Sequence, residues 1–438
     1  MDSAFILAIA LVVFLVIFIK TEFGLYLVIF SMLLSPEIGS GGGGIAETRQ
    51  IIIRSEDVLL LVVAFSWLAK TAVNKELGLA LKTPLNRPIM LYIAVHAIAT
   101  LIGYATGTVG GLGGFFYVLK YVEYFVVYYM VVNNLTDRPQ AWRLVTAAFL
   151  TAVIVSLIGA AQIPSGQRVS APFEGKEGEP NTLGGYLLFM MAIAGGIALE
   201  TARLRTRVVC LGLIALMGLP FAYTLSRASF LGAPFVLATL GLFSTRRRLV
   251  GGALLLLVVA SPLVVTLLPK PVVNRILYTF QPEAGQATVK LGRVAFDPST
   301  SARLISVQQA LEGWSKRPIL GYGVTGFGFM DAQYARTLVE TGIVGLAVFL
   351  WLVWSALRSG VVSLRALGDP EERGLALGFV AGLVGLLVHA IGANTFIIVR
   401  VMEPFWFFAA VVVALPMLAA REAAAPRKTR ARPFRRVA

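Results

Sequence analysis

The chain has 438 residues, of which 57% are hydrophobic and only 14% charged, where a soluble protein carries about 25% charged residues. That balance excludes a disordered chain, a secreted disulfide scaffold and an ordinary soluble enzyme, and leaves an all-α polytopic membrane protein. The net charge of +15 would suggest nucleic acid in a soluble protein. In a membrane protein it is read by position instead, and no nucleic-acid partner is expected. One cysteine, Cys210, and two histidines far apart, His96 and His389, provide no disulfide and no Cys- or His-based metal site.

A bilayer core about 30 Å thick needs about 20 mostly apolar residues per helix. Apolar runs fall near 4–19, 23–35, 51–73, 88–106, 115–133, 142–161, 183–201, 207–224, 228–243, 247–268, 337–357, 374–398 and 403–420. They predict 12–14 transmembrane helices, since the run at 23–35 is short enough to pair with the first as a hairpin. The runs are too long and too uniformly apolar for barrel strands. Met1-Asp2-Ser3 lacks a positive leader and no small-residue cleavage site follows, so the first run reads as an uncleaved span. The glycines at 39 and 41–44, and those between 107 and 114, read as turns.

Short basic loops at Arg203/Arg205/Arg207, Arg246/Arg247/Arg248 and Arg358/Arg365/Arg373, with the tail from Arg421, fall on one side when the spans alternate. Basic residues gather in the cytoplasm, so the other side is expected to be periplasmic. The organisation read from this is one transmembrane domain over 1–420, a long periplasmic segment near 269–335, and a basic cytoplasmic tail at 421–438 that meets anionic headgroups. The periplasmic segment holds Pro269, Pro271, Pro282, Pro298 and Pro318, which break it into short pieces. One piece reads as a helix capped by Ser299-Thr300-Ser301, striped by Leu304, Val307, Leu311 and Trp314, and ended by Pro318. Gly321 to Gly326 matches G-x-G-x-x-G, but no strand precedes it, so a dinucleotide site is not expected.

Charges inside spans are expensive and therefore candidates for function. Lys120 and Glu123, three residues apart, either pair with each other or meet a substrate headgroup. Glu340 either locks helix packing or lines a cavity. His389 reads as an interhelical hydrogen-bonding residue. On the outer side, Arg168, Arg227, Arg303 and Arg400 each lie near a span end or loop. If they converge they make an anion site, because the planar guanidinium binds phosphate through two donors and keeps its charge.

The stretch from Arg303 runs through Trp314, Arg317-Pro318-Ile319-Leu320-Gly321-Tyr322-Gly323, Asp331-Ala332-Gln333-Tyr334 and Glu340-Thr341-Gly342-Ile343-Val344-Gly345-Leu346. It resembles the signature region of the O-antigen ligase and O-antigen polymerase family, bacterial membrane glycosyltransferases of the GT-C type. Ser226-Arg227 is similar to that family's Ser-Arg at the start of a span, and Pro180-Asn181 after Arg168 to its outer loop ending before a span. The resemblance implies an enzyme of the inner membrane, with no cofactor and no metal. It would take a glycan from undecaprenyl diphosphate at the periplasmic face and pass it to a hydroxyl, inverting the anomeric carbon. Implied partners are the lipid-linked glycan, a glycan or lipid-linked acceptor, membrane lipids and other members of a polysaccharide assembly pathway. Ligases of this family carry His-Asn where this chain has Asp331-Ala332, so a polysaccharide polymerase is favoured over transfer to lipid A core.

In this reading Arg227 and Arg303 stabilise the diphosphate, with Arg168 and Arg400 behind them, and Asp331 orients or deprotonates the acceptor hydroxyl. Tyr334, Glu340 and Lys120 are candidate substrate contacts. A flippase of lipid-linked glycan would share an arginine-lined cavity but should show internal repeats with matching broken helices. None is visible in the sequence.

Overall fold

Backbone groups in a bilayer have no water to bond, so long apolar runs satisfy themselves as helices. The computed structural model describes residues 3–41, 51–73, 82–174, 178–259, 266, 269–281, 288–291, 294–328 and 330–424. The chain opens with α1 (Ser3–Ile19) and α2 (Thr21–Leu34). An antiparallel ribbon follows, β1 (Glu37–Gly41) with β2 (Ile51–Arg54), in which Glu37 faces Arg54 and Gly41 faces Ile51. Next come α3 (Ser55–Val73), α4 (Asn86–Ala105), α5 (Gly113–Asn134), α6 (Arg138–Gln162), α7 (Pro180–Glu200), α8 (Leu204–Tyr223), α9 (Arg227–Phe243) and α10 (Arg247–Val259). The long segment holds α11 (Lys270–Tyr278), the two-residue strands β3 (Lys290–Leu291) and β4 (Val294–Ala295), and α12 (Pro298–Lys316). Three more helices complete the described chain: α13 (Gln333–Ala366), α14 (Pro370–His389) and α15 (Val399–Ala424).

Each of the thirteen apolar runs falls on one of these helices, and the protein is an all-α polytopic membrane protein. Among the described residues eight helices are long and apolar enough to cross a membrane: α4 to α8 and α13 to α15. The others are shorter or more charged; α2 has 14 residues and α9 has 17. Three boundaries differ from the sequence reading. Residues 51–54 form a strand before α3. The run at 374–398 breaks after His389 into a turn that precedes α15. The helix in the long segment starts earlier, with Asp297 as its N-cap and Pro298 in its first turn, where a fixed φ and a missing N–H are harmless. The glycines at 42–44, Pro282 and the tail from 425 lie outside the described residues.

α7, α14 and α15 are the most buried spans, and α8 the most exposed. α7 and α14 touch backbone to backbone. A Cβ added at Gly196 would lie 2.3 Å from the Gly374 carbonyl oxygen, and one at Gly378 would lie 2.5 Å from Ile193 Cα. In lipid, helices associate through such close packing because the solvent is as apolar as the side chains. Beside this seam an aromatic layer of Tyr92, Phe125, Phe405 and Trp406 fills the centre, with Phe125 and Trp406 edge to face at 4.8 Å.

The turns after α2, α4, α6, α8, α12 and α14 gather at one end of the bundle. Thr108 Oγ1 donates to the Tyr322 carbonyl at 2.7 Å, and Asn394 Nδ2 to the Met330 carbonyl at 2.7 Å. The basic loops meet carboxylates at the opposite end: Arg373 reaches Glu200 at 3.2 Å, Arg203 reaches Glu371 at 3.3 Å and Arg138 reaches Glu372 at 2.5 Å.

Candidate functional site

At the loop-rich end, α8 turns into α9 within a few residues, with Leu225 forced into the left-handed region at φ 49°. The turn is pinned from below. Ser226, the N-cap of α9, accepts from the Ser229 N–H and donates its hydroxyl to Asn181 Oδ1 at 2.8 Å. Gly184 leaves room for this contact, since a Cβ there would sit 2.3 Å from Ser229 Oγ. Arg227 therefore leaves the first turn of α9 in a fixed direction. Its guanidinium grips Asp297 through two bonds, Nη1 to Oδ2 at 2.5 Å and Nη2 to Oδ1 at 3.1 Å, and donates to Thr279 Oγ1 at 3.2 Å.

Asp297 is fully buried and does double duty, capping α12 through the Ser299 N–H at 3.1 Å and accepting from Thr300 Oγ1 at 2.6 Å. Burial pushes its carboxyl up, but Arg227 and Thr300 outweigh burial and hold it below the usual carboxylate range. Further along α12, Arg303 pairs with Asp331, Nη2 to Oδ2 at 2.9 Å and Nε to Oδ2 at 3.3 Å, and donates to Ser299 Oγ at 3.2 Å. This second pair is open: the Arg303 and Asp331 side chains are 28% and 27% exposed, against 16% and 0% for Arg227 and Asp297.

Arg168, on the loop after α6, donates from Nε to the Thr224 carbonyl at 3.0 Å and from Nη2 to the Leu225 carbonyl at 3.3 Å. It thus satisfies oxygens that the end of α8 leaves without helical donors. Burial and the nearby charges of Arg275, Arg227 and Arg303 push its guanidinium down to about 10. Arg275 of α11 is lowered for the same reasons, burial first and then Arg227. Four guanidiniums from four separate segments thus share one region with Asp297 and Asp331.

The structure brings Arg168, Arg227, Arg303 and Asp331 together and places the remaining sequence candidates elsewhere. Arg400 is buried at the start of α15, where it donates to the Pro172 carbonyl and to the Ser35 carbonyl at 2.9 Å, with Glu174 at 4.0 Å. Its role is to tie the loop after α6 to the end of α2. Lys120 bonds Asp57 and lies 3.2 Å from Glu123. Glu340 accepts from Arg336 Nε at 3.2 Å and from the Thr325 N–H at 3.1 Å, fastening the glycine loop at 321–326 to α13. Tyr334 turns inward and donates to the Leu387 carbonyl of α14 at 2.7 Å. His389 bonds Thr395 at 2.7 Å.

Sequence reading missed Arg275 and Asp297. Asp297-Pro298 followed by Ser and Thr is a helix-start signal that sets the cap two residues before Ser299. Arg275 has a weaker signal, a basic residue in a short piece between prolines. Among the described residues, no group of His, Cys, Asp and Glu side chains is arranged to hold a metal ion.

No curated protein matches the chain. Among solved structures, a chain described as "Structural coordination of polymerization and crosslinking by a peptidoglycan synthase complex" is 17% identical, covering 76% of this chain and 98% of its own. It superposes with a TM-score of 0.39, too low to establish a shared fold. Residues 212–350, from α8 into α13, match the family model described as O-antigen ligase. That stretch contains Arg227, Arg275, Asp297, Arg303 and Asp331, so the gathered side chains other than Arg168 lie within the part of the chain that is similar to the O-antigen ligase family.

Proposed function

We propose that the protein is a glycosyltransferase that moves a glycan from undecaprenyl diphosphate to a hydroxyl of a glycan acceptor, in the manner of a polysaccharide polymerase, at the periplasmic face of the inner membrane. The observation that carries this reading is the gathering of Arg168, Arg227, Arg275 and Arg303 around two carboxylates at the loop-rich end. The family match over the same residues supports it. The basic loops of the opposite end support the sidedness, since such residues collect in the cytoplasm.

The chemistry follows from the charges. A diphosphate leaves readily once its developing negative charge is met by cations already in place, and such preformed charge usually lowers the barrier more than any other single effect. Arg227 is committed to Asp297 through both terminal nitrogens, so it acts as a fixed charge that aims the first turn of α12. Arg303 is held by an open pair and can exchange Asp331 for a phosphate oxygen. That exchange frees the Asp331 carboxylate as the diphosphate arrives. The acceptor oxygen then attacks the anomeric carbon, its proton passes to Asp331, and the bond from carbon to the diphosphate oxygen breaks with both electrons leaving on the diphosphate. One displacement inverts the configuration.

The test is product analysis with purified protein and undecaprenyl-diphosphate-linked glycan. Longer glycan chains together with free undecaprenyl diphosphate are expected. Movement of the intact lipid-linked glycan across a vesicle membrane, without new linkages, would show a transporter and refute the proposal.

A further inference from the structure

The charges at the site do not balance. Arg227 is matched by Asp297 and Arg303 by Asp331. Arg168 directs its donors to two backbone carbonyls, which carry no net charge. Arg275 has neither: among the described residues no carboxylate pairs with it, its Nε is buried without a hydrogen-bond partner, and its guanidinium stands 5.9 Å from the Tyr278 ring. A buried donor left unmade is expensive, so such a group marks a position that a ligand completes.

Geometry places Arg275 against the same centre. It stands one helical turn before Thr279, hence on the same face of α11, and Thr279 is bonded on both sides of the site. Its hydroxyl accepts from Arg227 at 3.2 Å, and its carbonyl accepts from the Asp297 N–H at 3.1 Å. Among the described residues, four guanidiniums and two carboxylates leave two positive charges over. A diphosphate esterified at both ends carries two negative ones.

We infer that Arg275 is a phosphate-binding residue that completes a site of charge plus two, matched to a dianionic diphosphate. This deepens the donor assignment above and rests on it for the identity of the lipid. Arg275 is the entry contact, since among the described residues it has no carboxylate or carbonyl partner to release. Arg303 follows by giving up Asp331.

The experiment uses the full chain in detergent, with inorganic pyrophosphate as the probe in a binding titration and lipid-linked glycan in a turnover assay. Arg275→Gln should weaken pyrophosphate about tenfold or more, the scale of one lost charged hydrogen bond. It should raise the donor KM by a similar factor and change kcat little. Arg275→Lys should recover only part of the loss, and Lys316→Gln, on the exposed end of α12, should change nothing. Unchanged pyrophosphate binding in Arg275→Gln beside normal wild-type turnover overturns the inference and leaves the donor reading intact. Arg275-dependent pyrophosphate binding in a protein that makes no new linkages supports the inference and refutes the enzyme reading. Phosphatidylglycerol micelles that bind as tightly as pyrophosphate, with the same dependence on Arg275, would make the residue a lipid-headgroup contact and overturn it.

Discussion

Two arginine–carboxylate pairs at one site differ in a single physical respect, and it separates their expected phenotypes. Asp297 is sealed from water and Arg227 mostly covered, whereas Arg303 and Asp331 are both open. Breaking a buried pair from one side leaves an uncompensated charge, at a cost of about 3–5 kcal/mol. Asp297→Ala also removes a helix cap worth about 1 kcal/mol, so it should lower the melting temperature of the purified protein clearly. Asp331→Asn breaks only the open pair and should melt near wild type, while lowering kcat at least tenfold with little change in donor KM. Equal turnover in that variant would remove Asp331 from the chemistry. Arg227→Lys keeps the charge and loses the fork, so it should fold yet lose most turnover. A third carboxylate has a pH signature. Burial pushes Glu174 up to about 7 from an ordinary 4.5, against the opposing pull of Arg400 at 4.0 Å. A carboxyl raised in the folded state favours folding where it is protonated, so that contribution is full below about 4.5 and is lost as pH rises through about 7. Melting temperature should therefore fall between those values, and Glu174→Gln should flatten that part of the profile.

At the level of elements, the sequence shows spans well and their interruptions poorly. Run length and composition suffice for α4 to α8, because lipid admits no other backbone solution. They say nothing about α13, which is written as one apolar stretch yet breaks at Gly342, with φ 67°. The break is imposed from outside the helix. Residues 318–323 lie along it, Ile343 N–H donating to the Pro318 carbonyl at 2.9 Å and Gly323 N–H to the Glu340 carbonyl at 2.8 Å. A Cβ at 342 would sit 2.1 Å from the Ile319 carbonyl oxygen. Gly342→Ala therefore meets a backbone clash as well as the left-handed penalty of about 1–2 kcal/mol, and should reduce both melting temperature and turnover. The apolar stripe of α12 also misleads when read alone. Leu304 and Leu311 are exposed, and it is Ala310 and Gly313 that pack inward. Small residues admit the close approach, and hydropathy assigns them little weight.

For the molecule as a whole, arginines distant in sequence meet because alternate span ends return to one surface. Topology predicts that Arg168, Arg227, Arg303 and Arg400 share an end, and they do. Topology does not tell which of them joins the shared cluster. Arg400 turns instead to the Pro172 and Ser35 carbonyls, a choice made by tertiary packing that no local pattern records. The seam of α7 and α14 has a further consequence. Where one backbone rests on another, a slip of even one residue would drive a side chain into a carbonyl, as the spacing around Gly196 and Gly378 shows. These two helices can only travel as a single rigid piece. If the proposed lipid-linked donor enters and leaves between helices, it does so at the looser flank, where α8 is the least buried of the candidate spans.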